Sequence, residues 1–190
     1  MLITSCMRSA SSSMHLFLKN FLNLEKVVYP KYTTRNWKGG EGVEDYMYYP
    51  SSTAFEIENK ILTDWVTNRR IIIQEHLLPI QHHRNILMSI PKDKRKVVVM
   101  KRNAEDSFSS QVRRSGNCPY LSKTTNKKQC LESFKKFRND IELFFPESDG
   151  FLHLEFDDVI SNPDKEIKKI LNYWEYPYNS NKIFELPHLK

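Results

Sequence analysis

No run of about 18 apolar residues occurs in the 190-residue chain, which excludes a membrane-spanning helix. Cysteine is scarce. Cys6, Cys118 and Cys130 show no CxxC or Cys/His zinc spacing, so neither a disulfide framework nor a structural zinc site is expected, and the three read as reduced thiols. Helix-turn-helix, zinc-finger and RNP patterns are missing as well, which argues against a basic nucleic-acid binder. Internal repeats and low-complexity tracts are lacking too. The first 24 residues contain no acid but carry Arg8, Lys19 and many serines, as an organelle-targeting segment would. Against that reading, Leu2-Ile3-Thr4 has the look of a strand, and the serines gather at one turn. A cytoplasmic location is therefore expected, with organelle targeting as the alternative.

What is present is ordinary globular composition, 39% hydrophobic and 27% charged, with a net charge of +6 and a pI near 9.1 that favour anionic partners. The length reads as one domain over residues 1–190, large enough to bury roughly 70% of its unfolded surface. Short apolar runs at 2–5, 71–74, 96–101 and 151–156 alternate with helical patterns at about 11–23, 53–68, 81–90, 104–114 and 127–145. Another helix opens at Asn162-Pro163, with Asn as cap and proline first. Strands alternating with helices predict an α/β fold, a parallel β-sheet flanked by helices. Residues 29–70 are an expected acceptor-side insertion, and 115–129 a mobile surface loop.

Two segments carry the chemistry. Ser5-Cys6-Met7-Arg8-Ser9-Ala10-Ser11-Ser12-Ser13 follows the first strand, and Arg102-Asn103-Ala104-Glu105-Asp106-Ser107-Phe108-Ser109-Ser110 follows the run Val97–Met100. Each lies where a strand hands over to a helix, where backbone N–H groups and the helix dipole attract anions. Two such turns, each with an arginine and hydroxyls, imply a ligand with phosphate at two ends. A triphosphate site of the form GxxxxGK[ST] is disfavoured, because a serine stands where its lysine should be.

The residues resemble a family. Arg8-Ser9-Ala10-Ser11-Ser12 is similar to the Arg/Lys-Ser-Gly-Thr-Thr loop of sulfotransferases, which binds the 5′-phosphosulfate of 3′-phosphoadenosine 5′-phosphosulfate (PAPS). Arg102, Asn103, Asp106 and Ser110 match that family's 3′-phosphate motif, whose arginine and serine grip the 3′-phosphate. Glu75-His76-Leu77-Leu78-Pro79 resembles the strand-end segment that carries the catalytic histidine of cytosolic members. Leu154-Glu155-Phe156-Asp157-Asp158-Val159, followed by Asn162-Pro163, resembles the family's Tyr-Glu-Asp-Leu strand and subsequent helix. The resemblance spans roughly the whole chain and implies a P-loop-like fold. It also implies PAPS as donor, no metal, and a small-molecule or carbohydrate acceptor. His76 would be the base, Arg8 would stabilise charge on the leaving phosphate, Ser9 to Ser13 would hold its oxygens, and Arg102 and Ser110 the 3′-phosphate.

Departures from the family pattern leave other readings open. Ala10 replaces a glycine, Gln74 stands where cytosolic members have a lysine, and the basic C-terminal clasp is missing, with only Lys182, His188 and Lys190 to substitute for it. A nucleotide-binding module without turnover and a P-loop phosphotransferase are the alternatives. His76 itself reads either as a base or as a buried strand-end histidine. His15 is a weaker candidate for the site. His82-His83 reads as a solvated pair, because adjacent residues do not share a helix face. Lys92-Asp93-Lys94-Arg95-Lys96 is expected to be a solvated loop, and Ser107 and Ser109 helix surface.

Overall fold

The computed structural model describes residues 1–5, 11–22, 59–68, 72–74, 81–115 and 126–186. Within them run β1 (Leu2–Ser5), α1 (Ser11–Leu22), α2 (Asn59–Thr67), β2 (Ile73–Gln74) and α3 (Gln81–Met88). There follow β3 (Val97–Lys101), α4 (Ala104–Ser115), α5 (Lys127–Phe144), β4 (Leu152–Glu155), α6 (Phe156–Ser161) and α7 (Pro163–Tyr173). The strands form one sheet in the order β2-β1-β3-β4, and every pairing is parallel. Val97 to Met100 are all buried, as strands covered on both faces require.

Alternation along the strands divides the core in two. Leu2, Val97 and Val99 face α2 to α5, meeting Trp65, Leu87, Phe134 and Ile141. Ile3, Val98, Met100 and Leu154 face the opposite way, toward Met14 and Leu18 of α1, Val159 of α6, and Ile167 and Ile170 of α7. Helices therefore cover both faces, as expected. The helix read at about 53–68 is described from Asn59; residues 51–58, like most of the expected 29–70 insertion and residues 116–125 of the expected loop, lie outside the described residues.

Several local expectations are corrected. Arg95 and Lys96 are buried rather than solvated. The Arg95 guanidinium donates to the carbonyls of Leu87 (2.6 Å) and Asp149 and lies 4.8 Å from the Phe151 ring centroid. Lys96 reaches Glu175 at 2.6 Å. Buried charge needs polar partners, and here main-chain carbonyls take the terminal Arg95 nitrogens and one carboxylate takes the Lys96 amine. Tyr173 Oη accepts from the Val97 amide (2.9 Å) and lies 2.9 Å from the Gly150 carbonyl, joining α7 to the starts of β3 and β4. Gly150 turns into β4 at φ 91°, a left-handed conformation suited to glycine.

His82 and His83 part company: His82 is exposed, whereas His83 is buried on the face of α3 that holds Ile86 and Leu87. Ser107 is wholly buried beside Ala104 and Gln111, one helical face, while Ser109 is exposed. The last strand ends at Glu155, and Phe156 already begins α6. Asn162 precedes α7 without capping it through its side chain, which instead donates to Ser161 Oγ (3.1 Å). Cys130 is disulfide-bonded, which corrects the expectation of three reduced thiols; pairing depends on which chain segments meet, and spacing along the sequence does not report that.

Candidate functional site

β1 ends at Ser5 and β3 at Lys101, and the two strands are neighbours with Ser5 in register with Met100. Both strand-to-helix turns singled out in the sequence thus leave the same sheet edge, on strands roughly 5 Å apart. This is the C-terminal edge of a parallel sheet, where α/β folds bind ligands. β2, on the other side of β1, runs to the same edge, with Gln74 opposite Ile3.

In the first turn, Arg8, Ser9 and Ala10 lie outside the described residues, as does His76 beyond β2. Ser11 and Ser12 form the start of α1, and Ser13 is half-buried in its first turn. The amides of that turn have no partner within the helix, so they aim the positive end of the α1 dipole at the sheet edge. His15 Nε2 lies 3.0 Å from the Ile72 carbonyl and ties α1 to the approach to β2.

The second turn is described throughout. Asn103 Oδ1 accepts from the amides of Glu105 (2.8 Å) and Asp106 (3.3 Å), so this residue caps α4. Two of the amides expected to be offered to an anion are thereby taken. Arg102 is half-buried, with its guanidinium carbon 3.9 Å from the centre of the Phe156 ring. Ser110 is half-buried two turns into α4.

Beneath Arg102 lies an ion network that sequence reasoning missed. Lys101 bonds Glu155 at 2.9 Å and Glu142 at 3.0 Å, and Arg138 reaches the same carboxylates at 3.4 and 2.5 Å. Burial opposes charge on Lys101, but hydrogen bonds to Glu155 and Glu142 outweigh it and raise its amine above the ordinary value. Burial likewise works against the Glu142 carboxylate, yet Arg138 and Lys101 hold it below the usual range. The Arg138–Glu142 pair was visible as an i,i+4 spacing; the cross-strand members were not. An open cavity of about 540 Å³ adjoins this network, lined by Asn103, Glu105, Lys135, Arg138, Asn139 and Asp157 among others.

Lys182, a candidate to replace the missing clasp, has its amine 4.3 Å from the Phe21 ring centre. Phe21 lies roughly 15 Å along α1 from Ser11 at 1.5 Å per residue, so Lys182 serves the packing of the C-terminal stretch on α1. His188 and Lys190 lie outside the described residues.

A sulfotransferase-domain family model matches residues 1–188. The chain belongs to the sulfotransferase family. No curated protein shows significant similarity to it. In this sulfotransferase the strands that precede the two segments singled out in the sequence are parallel neighbours. No helix among the described residues is long and apolar enough to cross a membrane.

Proposed function

We propose that this sulfotransferase moves a sulfuryl group from PAPS to a hydroxyl or amine of a small-molecule or carbohydrate acceptor. The observation that carries the reading is the adjacency of the Ser5–Ser11 and Arg102–Ala104 turns at one sheet edge. A nucleotide phosphorylated at both ends of its ribose reaches both turns at once. Arg8 and the groups of Ser9 to Ser13 hold the 5′ end, and Arg102 with Ser110 holds the 3′-phosphate. The half-buried Arg102 and the Asn103-capped α4 fit a phosphate gripped by side chains.

Bound there, the donor supplies the sulfuryl group: the acceptor oxygen or nitrogen bonds to sulfur as the bond to the 5′-phosphate oxygen breaks. His76 takes the acceptor's proton. Arg8 and the first-turn amides of α1 counter the negative charge that grows on the departing phosphate.

Thermal unfolding decides between donors. Adenosine 3′,5′-bisphosphate at about 100 times its dissociation constant is expected to add about 2.7 kcal/mol of stability. Arg102→Ala is expected to reduce that gain. Stabilisation by ATP–magnesium and not by the bisphosphate would move the protein to the phosphotransferases.

A further inference from the structure

We propose that Phe156 is a positioning residue: its ring fixes the Arg102 guanidinium and so sets the preference of this site for a nucleotide carrying a 3′-phosphate. The inference rests on the reading of Arg102 given above. Lys101 and Glu155 are register partners at the last step of the β3–β4 ladder. Their ion pair at 2.9 Å, shared with Glu142 and Arg138, stops the two strand ends from sliding past each other. One residue further along each chain, just past the two strands, come Arg102 and Phe156. Phe156 begins α6, which is seated in the core through Val159, so the half-buried ring has a fixed base.

The ring face lies 3.9 Å from the guanidinium carbon. An aromatic quadrupole holds an arginine without using the in-plane N–H donors that recognise a phosphate two at a time. An arginine otherwise samples many rotamers, and ordering it on binding weakens affinity. Ordering it beforehand removes that cost from the binding step. The effect belongs to the phosphate that Arg102 meets. The rest of the nucleotide does not feel it.

Calorimetric titration of the full chain with adenosine 3′,5′-bisphosphate and with adenosine 5′-monophosphate tests this. Phe156→Leu is expected to weaken the bisphosphate about ten-fold and to leave the monophosphate within about two-fold. Phe156→Trp, which keeps a ring face, is expected to restore bisphosphate affinity to within about two-fold of the parent. Phe156→Met offers similar bulk without a π face, should the leucine variant not fold. Equal weakening of both nucleotides would mean that Phe156 touches the nucleoside, and unchanged bisphosphate affinity would mean that the ring does not govern Arg102; either overturns the proposal. A parent protein that binds the two nucleotides equally would instead remove the 3′-phosphate assignment itself.

Discussion

Arg102 and Asn103 are neighbours with different work. Asn103 spends its side-chain oxygen on two amides of α4, whereas Arg102 crosses to the ring of Phe156 at the start of α6. The first is a local capping preference that residue type discloses; the second exists only because β3 and β4 are paired. His76 is the residue on which turnover is proposed to depend. His76→Ala is expected to lower kcat by about 10²–10⁴-fold, the usual contribution of a general base, with bisphosphate affinity near that of the parent. Steady-state kinetics with labelled donor and a responsive acceptor make the measurement. Turnover equal to the parent's would strip His76 of that role.

At the scale of elements, polar side chains act as cross-ties between segments distant in sequence. Arg95 binds carbonyls at the ends of α3 and before β4, Tyr173 holds the starts of β3 and β4, and His153 Nε2 meets the Phe145 carbonyl at 2.6 Å. Burial of His153 lowers its pKa below the ordinary histidine value, outweighing the carbonyl bond that favours the charged form. The unfolded chain therefore binds the proton more readily than the folded one. Stability from this group is complete above about pH 6.5 and is lost as pH falls through the depressed folded value. Thermal midpoints followed from about pH 8 to about pH 5 should fall more steeply for the parent than for His153→Gln below about pH 6.5. Parallel curves would show that His153 does not titrate with unfolding.

Across the whole molecule, the Cys130 disulfide bears on where the protein works. Such bonds persist in oxidising compartments and are rare where glutathione keeps thiols reduced. With three cysteines and one bond using two of them, a denatured, unreduced sample should show one free thiol per chain, and a reduced sample three. Three free thiols in protein isolated without reductant would support the cytoplasmic expectation.

Much of the architecture was legible along the chain, because it follows from periodicity. The β-branched run Val97–Val99 demands burial on both faces, and Ile167, Ile170 and Leu171 fall on one side of a helix. The strand-to-helix order at β1–α1 and β3–α4 was legible for a related reason: the switch from a β-branched run to a helical period is a local feature. Pattern reading failed where charge went inside. Lys96 looked like part of a solvated run, yet it pairs with Glu175, 79 residues away. The sequence by itself determined the alternation of elements and the residue types at each turn, since helix and strand periods act between near neighbours. Only the tertiary structure decided that β1 and β3 lie side by side, and that Arg102 rests on Phe156 while Lys101 pairs with Glu155 and Glu142. Those contacts join chain segments through strand pairing and core packing, and distance along the chain carries no record of either.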